Sequence, residues 1–153
     1  NSHLLVSNLN NYFPEFKYIH TIRHGLDMAY SSNQHQLYNW GEMFGISRPK
    51  TKSELPYASF RYWVEANRRI IELRDKIGKE KIYLLNFDKL CQDPINEINM
   101  LVEFLGVDPD SSALKEAYSI PKIPESKGRY KGNDLSGFGR EDISFMTSLG
   151  FLF

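Results

Sequence analysis

Phe16-Lys17-Tyr18-Ile19-His20-Thr21-Ile22-Arg23-His24-Gly25-Leu26-Asp27-Met28-Ala29-Tyr30-Ser31 reads as a strand running into a helix, with Arg23 at the junction. A cation at the exit of a buried strand and a hydroxyl two helical turns further on can converge on one phosphate. There they assist the free backbone N–H groups of the helix start. Arg23 and Ser31, eight positions apart, are therefore the first candidate anion ligands.

Upstream of that stretch, Leu4, Leu5, Leu9 and Tyr12 fall at helical spacing, and Phe13-Pro14 stops the element before a strand from about Lys17 to Ile22. Downstream, a second helix is expected from Leu26 to about Tyr38, followed by an aromatic loop from Asn39 to Pro49 containing Trp40 and Phe44. Phe60, Val64, Asn67, Ile70, Ile71, Arg74 and Ile77 recur at three- and four-residue steps, predicting a long helix over 57–77 with Gly78 as its C-terminal cap. Lys81 to Phe87 has the length and apolar character of a second strand. Asp93-Pro94 supplies an N-cap followed by proline at the first helical position, and Ile95, Ile98, Leu101, Val102 and Leu105 form the stripe that helix buries. Pro121, Pro124 and the Gly and Ser residues of 126–139 mark an irregular basic segment, and Glu141 to Leu149 a short closing helix. Two strands separated by helices imply a parallel crossover, so the class is α/β with a small sheet, incomplete at its N-terminal side.

Composition fits one globular domain: 153 residues, 41% hydrophobic and 14% aromatic. Nineteen basic residues balance nineteen acidic ones, so no global field draws in nucleic acid or an anionic membrane, and an anion site has to be local. The single cysteine, Cys91, excludes an intrachain disulfide framework and a thiolate zinc site, and a reducing, cytoplasmic setting is favoured. No apolar run approaches the roughly 20 residues a membrane span needs. The first residue is Asn1, already inside an amphipathic pattern, so the natural protein is expected to extend upstream. An anchor located there would move the assignment to the Golgi lumen.

Two further motifs follow in order. Phe87-Asp88-Lys89-Leu90 is followed after three residues by Pro94 and by a helix ending Phe104-Leu105-Gly106. An aromatic ring at a strand exit can lie flat against an adenine, a contact of roughly 1–3 kcal/mol, or it can be a plain core residue. Ser126-Lys127-Gly128-Arg129-Tyr130-Lys131 places three cations around a glycine. The glycine lets backbone approach an oxyanion, Arg offers a planar fork and Lys a point charge, while the other reading is a solvated basic loop.

Taken together these segments resemble sulfotransferases that use 3'-phosphoadenosine 5'-phosphosulfate (PAPS), over about Leu4 to Gly150. In that family a strand ends in Arg with Ser eight positions on, a Tyr-Glu-Asp-Leu segment precedes a proline and a helix ending Phe-Leu-Gly, and a C-terminal glycine-containing basic loop wraps the nucleotide. Phe87 stands where the family has Tyr, so stacking survives without a phenolic hydrogen bond, and Asp88 and Lys89 replace two acids. The resemblance implies a P-loop nucleoside-kinase-like three-layer fold, of which residues 1–153 form one domain's C-terminal two thirds. It implies PAPS as donor, adenosine 3',5'-bisphosphate as product and a hydroxyl or amine acceptor. It also implies a cofactor site of Arg23, Ser31, Phe87, Ser126, Lys127, Gly128 and Arg129.

Sulfuryl transfer needs a base for the acceptor and positive charge on the leaving oxygen. The family's 5'-phosphosulfate loop, with its Lys, lies upstream of everything seen in this chain, so no catalytic residue is assigned and the chain alone is expected to be inactive. His20, His24 and His35 lack the spacing and carboxylate partners of a metal site; His20 reads as a hydrogen-bonded sheet residue, and His24 either touches nucleotide or faces water. Trp63 and Asn67 read as structural. Two other functions remain: a P-loop kinase-like nucleotide-binding protein, and a non-enzymatic module binding a partner through Tyr38 to Phe44.

Overall fold

A computed structural model describes residues 2–152. In chain order its elements are α1 (Val6–Tyr12), β1 (Tyr18–Ile22), α2 (Gly25–Ala29), α3 (His35–Trp40), α4 (Leu55–Ile77), β2 (Ile82–Asn86), α5 (Phe87–Gln92), α6 (Pro94–Leu105), α7 (Ser111–Ser119) and α8 (Arg140–Ser148), with short 3-10 turns at Ser2–Leu4 and Gly41–Phe44. The class is α/β. The chain divides into two compact units, one of Asn1–Arg23 with Ile70–Glu125 and one of His24–Arg69 with Ser126–Phe153.

In the first unit β1 and β2 pair in parallel, in register from Tyr18 opposite Ile82 to Ile22 opposite Asn86. Val6 of α1, Ile70 of α4 and Ile82 of β2 are fully buried together, with Phe16, Tyr18, Leu73, Ile77 and Leu84 packed around them. Arg74 Nε donates to the Ile82 carbonyl at 2.9 Å and so ties the end of α4 to β2. Asp93 caps α6 through Asn96 N–H, with Pro94 in the first turn, as its sequence predicts.

The second unit is built on aromatic packing. Leu37, Tyr62 and Ala66 form a buried cluster with Trp40, Phe44, Ile46, Leu55 and Ala58 against it. Phe60 and Trp63 lie parallel at 5.8 Å, and Phe138 meets Phe60 edge-on at 5.2 Å. Gly25 opens α2 against this stack: a Cβ there would lie 2.7 Å from Phe60 and 2.9 Å from Trp63, so only glycine allows the approach.

The structure corrects five readings of the sequence. The helix expected over Leu26 to Tyr38 is two short ones, because Ser31 Oγ and Asn33 Oδ1 accept from the backbone N–H groups of Asn33 and His35. Such local bonds compete with helix propagation. The buried Gln34 side chain then donates to the Met28, Ala29 and Ser31 carbonyls, satisfying the end of α2. The second strand stops at Asn86, whose side chain caps Lys89 N–H, so Phe87 opens a helix instead of closing the strand. Ile95, expected in the buried stripe of α6, is 57% exposed, whereas Ile98 is buried. In the segment read as an aromatic loop, Trp40 ends α3, and Trp40 and Phe44 pack against the second unit's cluster. His24, for which facing water is one of two expectations, does not face water: it is buried against Tyr130. Helix α7 went unread; Asp110 starts it by accepting from Ser112 and Ala113 N–H at 2.8 Å each.

Candidate functional site

Parallel pairing determines the first half of the site. Because Ile22 pairs with Asn86, the residues that follow the two strands, Arg23 and Phe87, emerge side by side at the same end of the sheet. The Arg23 guanidinium carbon lies 5.3 Å from the Phe87 ring centroid, and both residues are half-buried. A cation over an aromatic face gains about 0.5–1 kcal/mol when exposed and about 2 kcal/mol when desolvated. Phe87 therefore carries the arginine on one face. His20 sits within β1, its Nδ1 3.5 Å from the Tyr18 hydroxyl and its ring 6.3 Å from that of the buried His3.

The second unit holds the other expected residues. Ser31 follows α2, a helix of only five residues, so the relation of two helical turns between Arg23 and Ser31 is replaced by a turn. Its hydroxyl accepts from Asn33 N–H and still has its own hydrogen to donate. Ser126, Lys127, Gly128 and Arg129 form a tight turn in which the Ser126 carbonyl accepts from Arg129 Nε at 3.3 Å and the Gly128 carbonyl from Lys131 N–H at 2.9 Å. Gly128 takes φ +78°, a left-handed conformation that glycine adopts without strain. Lys127 is exposed and Arg129 half-buried. Among the described residues, neither forms an ion pair with an acid.

Two residues of this half escaped the sequence reading. Asp27, 3% exposed, accepts the Gly128 N–H on Oδ2 at 2.9 Å. Tyr130, 5% exposed, stacks on the His24 ring at 4.7 Å and 8°. The signal for Asp27 was present: a carboxylate in the apolar run Leu26-Asp27-Met28-Ala29 needs a partner when the run is buried. Its partner, however, is a backbone amide 101 residues away, which no local pattern reveals.

Against this geometry, residues 2–111 match the model of the sulfotransferase family. The chain belongs to the sulfotransferase family. No curated protein and no solved structure matches it. The family match of this sulfotransferase takes in both strands, Arg23, Ser31 and Phe87, and stops before the Ser126–Tyr130 turn. Family membership makes the protein a transferase that moves a sulfuryl group from a small-molecule donor, ordinarily a nucleotide, to an acceptor. Among the described residues, no helix of the sulfotransferase is long and apolar enough to cross a membrane, and no group of three or more His, Cys, Asp and Glu could hold a metal ion.

Proposed function

We propose that the donor is PAPS and that this chain carries the half of its site that binds the 3'-phosphate, within a P-loop nucleoside-kinase-like three-layer domain of which residues 1–153 form the C-terminal two thirds. The juxtaposition of Arg23 and Phe87 at the ends of paired strands is the observation that carries this reading. Arg23 supplies a planar cationic fork and Ser31 a hydroxyl for the 3'-phosphate. Ser126, Lys127 and Arg129 are assigned to the same phosphate, with Gly128 setting the shape of their turn. Phe87 flanks the adenine with the ring face that Arg23 leaves uncovered.

Three cations and two hydroxyls suit a phosphomonoester, and Asp27, a buried acid beside the turn, is already bonded to backbone. In the reaction a new S–O bond forms to the acceptor oxygen or nitrogen as the bond from sulfur to the bridging oxygen of the donor breaks. The acceptor's proton passes to a base, and the leaving nucleotide is adenosine 3',5'-bisphosphate. No residue of this chain is assigned as the base or to the 5'-phosphosulfate, and the role proposed for the chain by itself is to bind nucleotide without turning over. A single cysteine, Cys91, whose thiol donates to the Lys122 carbonyl, suits a cytoplasmic setting.

Calorimetric titration with adenosine 3',5'-bisphosphate beside AMP tests the reading. Charge-assisted hydrogen bonds of roughly 1.5–3 kcal/mol each should favour the bisphosphate by about tenfold or more. Arg23→Ala in the full-length protein should abolish most of that preference. A preference that survives Arg23→Ala unchanged overturns the assignment.

A further inference from the structure

We propose that Asp27 and His24 are positioning residues, fixing the Ser126–Tyr130 turn in the conformation that presents Lys127 and Arg129 to the nucleotide. The inference rests on the 3'-phosphate reading above and concerns only the second unit, where all of its contacts lie. A fully buried carboxylate is costly unless it is hydrogen-bonded. Asp27 Oδ2 takes the Gly128 amide at 2.9 Å, and its Oδ1, also buried, has no hydrogen-bond partner among the described residues. The acid thus grips backbone and leaves the neighbouring cations unneutralised.

That single bond acts on the residue where the turn is most easily lost, since glycine at φ +78° is also the residue with the most alternative conformations. One helical turn earlier, His24 takes hold of the other end of the same turn by stacking on Tyr130. His24 is itself fixed: Nε2 donates to the Leu152 carbonyl at 3.2 Å, and Phe151 meets its ring edge-on at 5.8 Å. Burial, and secondarily the charge of Asp27, push the Tyr130 phenol up, so this ring stays neutral against the imidazole. Asn133 completes the arrangement by donating its side-chain amide to the Arg129 and Tyr130 carbonyls at 3.3 and 3.0 Å. The turn is thereby held by its backbone, and among the described residues neither Lys127 nor Arg129 is paired with an acid, Arg129 keeping its terminal nitrogens beyond the Nε bond to the Ser126 carbonyl.

The test uses the full-length protein and compares affinities for adenosine 3',5'-bisphosphate and AMP, because a merely structural role would weaken both ligands together. Asp27→Ala should lower the preference for the bisphosphate by roughly tenfold, the worth of one charge-assisted hydrogen bond. Asp27→Asn, whose amide oxygen still accepts from Gly128, should restore most of it. His24→Ala should lower the preference several-fold, and His24→Phe, which keeps the stack, should preserve it. The double variant Lys127→Ala, Arg129→Ala is the reference. If it lowers the preference while Asp27→Ala and His24→Ala do not, the positioning role is wrong and the phosphate reading of the turn stands. If the double variant itself leaves the preference unchanged, the turn does not bind phosphate, and both the inference and that part of the proposed site fail. Should Asp27→Ala not fold, as a thermal melt would show, the two His24 variants decide: equal preferences overturn the proposal.

Discussion

Arg23 and the Lys127–Arg129 turn are cationic groups assigned to one phosphate, yet the fold secures them by opposite means. Arg23 is placed by a β-ladder: five paired residues precede it, and its neighbour across the sheet, Phe87, supports the guanidinium from below. The turn has no ladder. It contains one left-handed glycine, and a buried carboxylate, a stacked imidazole and the Asn133 side chain are the groups that contact it. Regular pairing distributes placement over many weak bonds, whereas an irregular turn concentrates it in a few, so the second arrangement should be far more sensitive to single substitutions.

Gly25→Ala should break the comparison most severely. The added methyl meets Phe60 and Trp63 below 3.0 Å, and overpacking of this kind costs about 1–3 kcal/mol. It displaces α2, the helix that carries Asp27, so bisphosphate preference should fall along with Tm. A melt unchanged from wild type would show that the stack yields without cost. Gly128→Ala should come next, at about 1–2 kcal/mol for a non-glycine residue in left-handed conformation. The nearest side-chain atoms to its new Cβ are the Lys131 methylenes at 3.5 Å, an ordinary contact, so the penalty is conformational and not steric. Preference for bisphosphate should drop more than stability does; loss of stability alone would mean that the turn's shape does not matter to the ligand.

The same contrast explains how much was legible in the chain. The parallel pair of strands, the long α4 and the Asp93-Pro94 start of α6 were readable because each is a local pattern with one dominant cause: apolar run, helical period or cap. Arg23 and Phe87 could be picked out for the same reason, being the residues at the strand exits. The break in the helix after Ala29 was missed because Ser31, Asn33 and Gln34 are individually compatible with a helix, and only their combined bonds to backbone end it. Asp27 and Tyr130 were missed because their partners, Gly128 and His24, are more than one hundred residues away in sequence. Spacing carries no information about such contacts.

Phe87→Leu sharpens the other side of the comparison. If the ring supports Arg23 as well as the adenine, its loss removes about 0.5–1 kcal/mol from the seat of the arginine beyond any loss of stacking. Bisphosphate binding should then weaken a further two- to five-fold relative to AMP, and Phe87→Tyr should keep both. Equal weakening of the two ligands would assign the ring to adenine alone, and Arg23 would owe its placement entirely to the ladder.

The smallest effect is expected at Asp110, which serves as a control within the first unit. Its carboxylate caps α7, and bonds first from the Ser112 hydroxyl, then from the Ala113 and Ser112 amides, hold its pKa below the ordinary carboxylate value. A group whose folded pKa is depressed contributes stability that is fully present above its unfolded pKa and is lost as pH falls through the folded one. Asp110→Ala should therefore give a small drop in Tm at neutral pH that shrinks on acidification through the carboxylate range, with nucleotide preference unchanged. A ladder-borne site should be indifferent to the fraying of a surface helix elsewhere in its unit. If Asp110→Ala instead lowers the bisphosphate preference, the placement of Arg23 is not as local as five paired residues imply, and the two halves of the site differ less than their bonding suggests.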